Sequence, residues 1–477
     1  MYKQYINGEL VQGQGAPMKV LDPADNSVIA EIASASVEQC RQALEAARDA
    51  FHDWARTPIG TRIQWLDRFI DAVMEEKEEI AELLAAETGK PYKTAMEDLY
   101  GFEDYARYFV HEGKRMDGTT VYSPNKAYGE LYHMVERRPL GVVVAHIAWN
   151  YPIAMAALKI GPAMVAGDPL ILKPASDTPL ATLRLGEIGV KLGLPKGVLN
   201  IVCGPSGTVA QTLNTSTIPS MVTLIGSSET GRRAMAQACS TSVKRFSMEL
   251  GGNAPVIVMP DADLDFAAQH CVAFKCDNAG QICTNYNRIY VHEDVYEAYL
   301  EKVREKLQQV KCGSKHDEGY IMGPMITRSA RDRMFELLED AQAKGAVLVC
   351  GGAVPQGLEA GNFITPALLR DVTEDMRVSR EEIFGPIIAV RKFTDLDDAL
   401  RKANDTDLGL ASYFFGHDAR DIAKAFETLE TGDVYINGAN GGSHTPHIGM
   451  KQSGIGCDQS RWSLEEYFQL KRISLVP

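Results

Sequence analysis

Cys283 lies in a sequence context in which a thiol could act as a nucleophile. It lies in the segment NAGQICTNYNR, residues 278–288, just after a glycine and at the end of an apolar helical run. Main-chain amides in a polar, glycine-containing loop can hold an anion and lower the pKa of a thiol. Cys283 is therefore a candidate nucleophile, and the alternative is a buried thiol at a helix–loop junction.

Two further side chains could assist a nucleophile. Glu249, in MELGGNAP, precedes a Gly-Gly turn that lets the backbone pass close to a ligand. Among apolar residues it is a candidate base with a raised pKa, although it could also be a strand-end glutamate facing water. Asn150, in HIAWNYP, ends the strongest strand. Its amide could donate a hydrogen bond to a developing oxyanion, and it could also cap the next helix.

Small polar turns after other strands are typical of phosphate binding. LILKPASDTP places Lys173 at a strand end, and LIGSSETGR places Gly226 and Ser227 at another, with Gly231 in the following helix. A strand, a small-residue turn and a helix N-terminus form a phosphate cradle. The GxGxxG fingerprint is absent from these turns, so ordinary βα turns are the alternative.

The elements that must position these residues alternate between strand and helix. GVVVAHI, PLILK, GVLNIVC and MVTLIG are short apolar runs, typical of buried parallel strands, and helical patterns separate them. A second alternation runs from about residue 251 to 440. The pattern predicts an α/β protein with doubly wound parallel sheets, which bind ligands at the carboxyl ends of their strands.

Two other regions have their own patterns. TRIQWLDRFIDAVMEEKEEIAELLAAETG has helical spacing over several turns and is expected to end at Gly89. Residues 119–138 and the tail LEEYFQLKRISLVP resemble exposed strands that need an edge to pair with.

Composition and charge exclude several classes of protein. The 477 residues are 45% hydrophobic and 23% charged, and no apolar run approaches the roughly 18 residues that span a bilayer. A net charge of −14 repels phosphate backbones and anionic lipid, so neither nucleic acid nor membrane is a predicted partner. The start lacks a secretion signal, and the nine cysteines include no CxxC pair. The sequence predicts a cytoplasmic protein with reduced thiols and no metal site.

Seven motifs, taken together and in order, resemble the aldehyde dehydrogenase superfamily over essentially the full chain. They are WNYP, KPASDTP, LIGSSETG, MELGGNAPVIV, NAGQIC, EEIFGP and KQSGIG. Each motif alone is a weak signal, but chance assembly of all seven in this order is not credible. The resemblance implies that an aldehyde is oxidised to a carboxylic acid with NAD or NADP as the hydride acceptor.

The resemblance also implies the catalytic roles. Cys283 would attack the carbonyl carbon, and the Asn150 side chain and the Cys283 main-chain N–H would hold the oxyanion. Glu249 would then activate the water that hydrolyses the thioester. The alternatives are an acylating enzyme that passes the acyl group to coenzyme A and a catalytically silent structural member. Glu249 argues against the first, and the intact catalytic positions argue against the second.

Cofactor binding is implied at eight positions. They are Trp149, Lys173, Ser176, Gly226, Ser227, Gly231, Glu382 and Phe384. Lys173 would reach the adenosine ribose and Glu382 the nicotinamide ribose. Ser176 stands where NAD-preferring relatives often carry a glutamate. Because a serine does not repel a 2′-phosphate, the sequence predicts an enzyme that accepts NADP without excluding NAD.

The family architecture implies how the chain is divided. Residues 1–118 and 139–250 would form the cofactor domain, and residues 251–445 the catalytic domain. Residues 119–138 and 458–477 would form oligomerisation strands that pair across subunits. The resemblance therefore implies a homodimer or a homotetramer.

The expected substrate pocket consists of Tyr151, Met155, Leu158, Asp277, Ile282, Thr284 and His447. Relatives that oxidise succinic semialdehyde carry arginines at the places of Leu158 and Asp277, so a distal carboxylate would here meet an acidic group. His447 replaces an aromatic residue, as in the lactaldehyde-oxidising branch. With Asp277 it predicts a hydroxylated aldehyde such as lactaldehyde, glyceraldehyde or a sugar-derived aldehyde. The alternatives are a semialdehyde substrate and a surface histidine in a loop.

Two further residues are left open by the sequence. Asp458 stands where relatives often have a glutamate near the path of the hydrolytic water. Cys276 lies seven residues before Cys283. The two thiols can form a disulfide only if their Cα atoms come within about 7 Å of each other.

Overall fold

The N-terminal part of the chain consists of two hairpins, four helices and two further strands. The computed structural model describes residues 2–122, 131–319, 321–439 and 441–476. The N-terminal elements are β1 (Gln4–Ile6), β2 (Glu9–Val11), β3 (Pro17–Leu21), β4 (Val28–Ala33), α1 (Val37–Arg56), α2 (Ile59–Glu75), α3 (Lys77–Thr88), α4 (Tyr92–Gly113), β5 (Thr119–Tyr122) and β6 (Tyr132–Pro139).

Local signals explain where these helices begin and end. α1 begins after Ser36, which forms a capping box with Gln39. α3 ends at Gly89, whose φ of 75° is the left-handed conformation that glycine favours, as predicted. The stretch before Gly89 forms two helices rather than one, because Glu76 leaves the helical conformation between them, with φ −105° and ψ 16°.

The middle of the chain alternates between strand and helix as predicted. Its elements are β7 (Val143–His146), α5 (Pro152–Ala166), β8 (Leu170–Lys173), α6 (Leu180–Leu192), β9 (Leu199–Ile201), α7 (Gln211–Thr215), β10 (Met221–Ile225), α8 (Ser228–Cys239) and β11 (Arg245–Glu249). A single π-helical turn, Ser206–Ala210, leads into α7.

The remaining part contains the second alternation and the tail. Its elements are β12 (Ala254–Val258), α9 (Leu264–Cys276), β13 (Tyr286–His292), α10 (Tyr296–Leu307), β14 (Lys311–Cys312), β15 (Ile321–Met322), α11 (Arg328–Ala343), β16 (Val347–Cys350), β17 (Ala367–Arg370), α12 (Arg377–Arg380), β18 (Ile387–Phe393), α13 (Leu396–Asn404), β19 (Leu408–Gly409), β20 (Ala411–Phe415), α14 (Ala419–Thr428), β21 (Asp433–Ile436), β22 (Met450–Lys451), β23 (Gly454–Ile455), α15 (Ser460–Glu466) and β24 (Phe468–Leu475).

The first large sheet has eight strands in the order β2-β1-β9-β8-β7-β10-β11-β23. The five strands from β9 to β11 run parallel, and antiparallel strands close both edges. Along β7, Val143 and Ala145 belong to one hydrophobic cluster and Val144 to another. Because both faces are covered, such strands are mostly apolar, and β7 and β8 have a polar residue, His146 or Lys173, only at the carboxyl end.

The second large sheet has seven strands in the order β16-β17-β18-β13-β12-β20-β21. All its neighbouring pairs are parallel except β16 with β17. In β12, Val256 and Val258 pack into one cluster and Ile257 into another, so this sheet is also covered on both faces. The predicted α/β fold with two doubly wound parallel sheets is confirmed.

A separate three-stranded sheet has the order β24-β6-β5. β24 pairs antiparallel with β6 over its whole length, from Phe468 opposite Pro139 to Leu475 opposite Tyr132. The two segments without an obvious partner in the sequence therefore pair with each other. Their pairing across subunits stays a prediction, and residues 123–130 of the expected arm lie outside the described residues. Within the described ranges, no helix combines the length and the apolar character needed to cross a bilayer.

Candidate active site

The loop that carries Cys283 is fixed by its backbone. After α9 the chain makes a tight turn in which Asn278 and Gly280 have φ values of 46° and 75°. A Cβ on Gly280 would lie 2.4 Å from the Gly385 carbonyl oxygen, so only glycine fits there. The buried Gln281 side chain donates to the Asn278 carbonyl at 2.8 Å and accepts from the Ile326 N–H at 2.9 Å. The turn thus delivers Cys283 in a defined position before β13.

Glu249 is the last residue of β11, and its carboxylate meets the thiol. The Cys283 Sγ donates to the Glu249 Oε1 at 3.3 Å. Burial, and then the negative charge of Glu249, raise the pKa of Cys283 to about 12. The sulfur therefore carries its proton at neutral pH, and it becomes a nucleophile only when a base accepts that proton. Glu249 is within reach to do so.

His447 lies on the other side of the same carboxylate. Its Nε2 is 3.0 Å from the Glu249 Oε1, and its Nδ1 is 2.6 Å from the Asp433 Oδ2. Burial disfavours a charged ring, but Glu249 and Asp433 outweigh it and raise the pKa of His447 well above its usual value. Burial likewise raises the pKa of Glu249, yet His447 outweighs this and the net shift is downward. The three groups form a hydrogen-bonded chain, Asp433–His447–Glu249.

A buried ion pair supports this chain from behind. Lys159, on α5, donates to both oxygens of Asp458 at 2.6 and 2.9 Å. Asp458 also pairs through its backbone with His447, with N–H to O distances of 2.8 and 3.0 Å. The ion pair therefore holds in place the segment that carries His447.

The Asn150 side chain approaches the same loop. Its Nδ2 donates to the Gln281 carbonyl at 3.1 Å, and its own carbonyl accepts from Lys90 at 2.5 Å and from Asn278 at 3.2 Å. The two bonds to the main-chain carbonyl of Asn150 fix the backbone, and the bond to Gln281 uses one of the two side-chain N–H groups. The second N–H is left for a developing oxyanion.

A cavity of about 670 Å³ opens onto the thiol. Nine predicted site residues line it, namely Trp149, Asn150, Met155, Gly226, Ser227, Glu249, Cys283, Glu382 and Phe384. A second cavity, of about 400 Å³, holds Lys173 and Ser176. The two cavities share Ala148, Trp149, Ile225, Gly226 and Ser227, at the carboxyl ends of β7 and β10. Together they form a cleft where an open α/β sheet binds dinucleotides.

The second cavity contains polar side chains with unused hydrogen-bonding capacity. Within the part of the chain that the structure describes, the Lys173 ammonium makes one hydrogen bond, to the Pro174 carbonyl at 3.1 Å. Burial lowers the pKa of Lys173 to about 8. Ser176 donates to the Gly204 carbonyl at 3.1 Å. An ammonium with two free N–H groups fits ribose hydroxyls, so these residues fit a nicotinamide dinucleotide.

The EEIFGP turn closes the other end of the cleft. The Glu382 Oε1 accepts from the Gly252 N–H at 2.9 Å, and burial raises the pKa of Glu382 to about 7. Phe384 has a φ of 52° and meets Trp149 edge to face, with ring centroids 5.5 Å apart. Arg333 donates to the carbonyls of Glu382 and Ile383 and fixes the turn.

Gly231 and the substrate residues occupy different surroundings from those expected. Gly231 packs against Leu250, where an added Cβ would lie 2.6 Å from a methyl group, and it lines neither cavity. Its small size therefore serves helix packing. Of the expected substrate pocket, only Met155 lines the cavity at the thiol. Tyr151 donates to Asp277 at 3.0 Å, and neither of these two residues lines that cavity.

The other expected pocket residues are engaged by the protein itself. Leu158 is buried, and the Thr284 carbonyl accepts from the Tyr413 hydroxyl at 2.9 Å. The Ile282 carbonyl accepts from the Asn285 N–H at 3.1 Å. Both ring nitrogens of His447 are held by carboxylates, which leaves none free for a substrate hydroxyl in this arrangement.

The sequence reading missed several residues of the site. The motifs do not predict Asp433, Lys159 or Arg333, nor Arg233, which shares the second cavity with Ser176. Lys159 carried a readable signal, because it is the only charged residue of the helix Pro152–Ala166. Asp433 had a weaker one, at the start of the strand DVYI.

Cys276 is buried, and burial raises the pKa of its thiol well above the usual value. A thiol in such an environment is a poor nucleophile. Its redox role stays an open prediction.

Comparisons with known proteins extend over nearly the whole chain. The sequence model described as "Aldehyde dehydrogenase family" matches residues 10–473. The chain is 37% identical over 468 residues to the succinate-semialdehyde dehydrogenase [NADP(+)] of Escherichia coli (strain K12), which covers 98% of this chain and 96% of that protein. It is 35% identical over 474 residues to the 3,6-anhydro-alpha-L-galactose dehydrogenase of Vibrio sp. (strain EJY3), and this alignment covers 98% of each chain. The crystal structure of lactaldehyde dehydrogenase from Escherichia coli superimposes with a TM-score of 0.95 at 32% identity and covers 99% of both chains.

Proposed function

From the premise that this chain belongs to the aldehyde dehydrogenase family and is an NAD(P)-dependent aldehyde dehydrogenase, we propose that its substrate is a small hydroxylated or sugar-derived aldehyde. The product is the carboxylic acid. The observation that supports the substrate class is the polar pair formed by Tyr151, which follows Asn150 in the chain, and Asp277, which begins the turn leading to Cys283. Groups of this kind favour a substrate hydroxyl over a second carboxylate.

The cation near this pair is already engaged. The Lys90 ammonium is buried, lies 3.9 Å from the centroid of the Tyr151 ring, and bonds to the Asn150 carbonyl and to Asp98. It therefore has little capacity left to pair with the distal carboxylate of a semialdehyde. Since Leu158 is apolar and buried, a carboxylate entering here would lose water without gaining a partner.

The first chemical step follows from the thiol and its base. As the Cys283 sulfur attacks the aldehyde carbon, Glu249 accepts the thiol proton across the 3.3 Å contact. The carbonyl oxygen becomes an oxyanion, to which the Asn150 amide and the Cys283 main-chain N–H donate. A nicotinamide cofactor, with Lys173 and Glu382 placed to hold its riboses, would supply the hydride acceptor, and loss of hydride from the adduct would leave a thioester on Cys283.

Hydrolysis of this thioester again depends on Glu249, once the proton that it took from the thiol has left to solvent. His447 holds one carboxylate oxygen at 3.0 Å and keeps the base ionised despite its burial. An ionised carboxylate beside the acyl group favours water as the acceptor. The acylating alternative, with coenzyme A as the acceptor, and a silent structural role receive no support from this arrangement.

A panel of aldehydes tests the substrate class. We expect kcat/KM for lactaldehyde or glyceraldehyde to exceed that for succinic semialdehyde by about 10-fold or more, since an unpaired buried carboxylate costs at least 1–3 kcal/mol. The reaction is followed through the absorbance of the reduced cofactor, NADPH. Semialdehyde oxidation is the second candidate, because several relatives at 36–37% identity are semialdehyde dehydrogenases. A preference for succinic semialdehyde would overturn the proposal and leave the chemistry at Cys283 intact.

Ser176→Glu tests how the cofactor is distinguished. A carboxylate here would face the 2′-phosphate of NADP, and like charges so close cost several kcal/mol. We expect the kcat/KM ratio of NADP to NAD to fall by about 100-fold. Ser176→Ala is the matched control, because it removes the hydroxyl without adding charge, and the ratio should change much less. Equal effects of the two variants would contradict this role of Ser176.

Assembly and location are also proposals. The exposed sheet β24-β6-β5, in which Tyr122 is 72% and Leu470 is 71% exposed, supports pairing in a homodimer or a homotetramer. The nine cysteines are unpaired, which supports a cytoplasmic location. Sedimentation of the purified protein tests the first proposal, and a monomer would contradict it.

A further inference from the structure

Three potential metal ligands converge at the catalytic thiol. The Cys283 Sγ, the Glu249 carboxylate and a ring nitrogen of His447 all lie within 4.8 Å of one another. The Sγ to Oε1 distance is 3.3 Å and the Oε1 to Nε2 distance is 3.0 Å. Tetrahedral Zn²⁺, with bonds of about 2.0–2.3 Å, separates its ligand atoms by about 3.3–3.5 Å. Two of the three separations are thus close to those around zinc, and the third, between Sγ and the ring nitrogen, is at most 4.8 Å.

We propose that Cys283, Glu249 and His447 form an inhibitory binding site for Zn²⁺. A thiolate and an imidazole select a thiophilic ion over Mg²⁺ or Ca²⁺. The fourth coordination position faces the cavity of about 670 Å³, where a water molecule completes the tetrahedron. This inference rests on the roles assigned to Cys283 and Glu249, but not on the choice of aldehyde.

The surroundings of His447 match those of a zinc ligand. Its Nδ1 lies 2.6 Å from the Asp433 carboxylate, which orients the ring so that Nε2 points at the site. Carboxylate–histidine–zinc arrangements of this kind are typical of metal sites, and removal of the outer carboxylate costs about 10–100-fold in affinity.

The exchange balances in atoms and charge. In the free enzyme one proton links Sγ to the carboxylate and another links Nε2 to it. Zn²⁺ takes the place of both, bonds to the sulfur and nitrogen lone pairs and to one carboxylate oxygen, and the two protons leave to water. The charge of the cluster is unchanged, and no oxidation occurs. A sulfur bound to zinc cannot attack an aldehyde, so the enzyme is inactive until the ion is removed.

Titration of the intact enzyme with Zn²⁺ tests the site. Calorimetry without aldehyde should show one Zn²⁺ per chain, and the same concentrations should abolish NADP reduction until a chelator restores it. Co²⁺ should give a thiolate charge-transfer band that Cys283→Ser lacks. We expect His447→Gln and Asp433→Asn each to weaken Zn²⁺ binding by at least about 10-fold.

The control is Cys239→Ser, which removes an exposed thiol and should leave binding and inhibition unchanged. A melting curve of each variant establishes that it is folded. Asp433→Asn is a conservative change that tests the site independently of His447→Gln. Wild-type Zn²⁺ affinity in both His447→Gln and Asp433→Asn would overturn the inference. So would inhibition that is lost in Cys239→Ser. A wrong substrate class would leave these binding results untouched.

Discussion

Glu249→Gln lowers steady-state turnover by about 10²–10⁴-fold, the contribution of a positioned general base. It also slows the first turnover, because the buried Cys283 thiol, with a pKa of about 12, loses the group that accepts its proton at 3.3 Å. Stopped-flow measurement of NADP reduction separates the two phases. Both the burst rate and the steady-state rate should fall.

Glu382→Gln is the matched control for this variant. Glu382 lines the same cavity, but its carboxylate accepts from the Gly252 N–H and does not contact the thiol. Its replacement should raise the KM for the cofactor more than it lowers the burst rate at saturating cofactor. A normal burst followed by slow turnover in Glu249→Gln would limit Glu249 to hydrolysis and contradict its role as acceptor of the thiol proton.

Lys159→Met destabilises the protein by about 3–5 kcal/mol, because it leaves the buried Asp458 carboxylate without its partner. The side chains of Lys159 and Asp458 are 0% and 2% exposed. We expect a lower urea midpoint and a large loss of activity, since Asp458 also positions the His447 segment through two backbone hydrogen bonds. The double variant Lys159→Met with Asp458→Asn should recover most of the stability.

An exposed ion pair provides the comparison for Lys159. Lys196 and Glu9 lie 3.2 Å apart, with side chains 68% and 66% exposed. Lys196→Met should change the stability by about 1 kcal/mol or less. If the two lysine variants had equal effects, the buried pair would not have the structural importance assigned to it.

The parts of the fold that could be predicted are those encoded locally. Short apolar runs predict β7, β8 and β10, because strands covered on both faces are mostly apolar, with a single polar residue in each of these three. The end of α3 at Gly89 could also be predicted, because the residue that ends a helix often adopts a left-handed conformation, which favours glycine. The break between α2 and α3 at Glu76 could not be predicted, because no proline or glycine lies there.

The parts of the site that could not be predicted depend on long-range contacts. Glu249 and His447 are 198 positions apart, and Cys283 and Glu249 are 34 apart. Motifs place each residue at a strand end or in a loop, but periodicity cannot show that His447 faces a carboxylate rather than a substrate. Gly231 shows a further limit of motifs, because its small size accommodates the Leu250 side chain, a contact that the sequence pattern does not reveal, and its cofactor role stays a prediction.

The late arrival of strand β23 has a consequence for protein synthesis. β23 pairs Gly454 with Glu249 at the outer edge of the first large sheet, and Asp433 and His447 come from the same late part of the chain. Domains form from the N-terminal side as the chain leaves the ribosome. Cys283 is thus synthesised before the residues that contact Glu249 from the C-terminal side. Until β23 forms, the edge of β11 has unpaired backbone groups that could pair with another strand. Until residues 433–455 have been synthesised, Glu249 lacks both the strand beside it and the histidine that contacts its carboxylate.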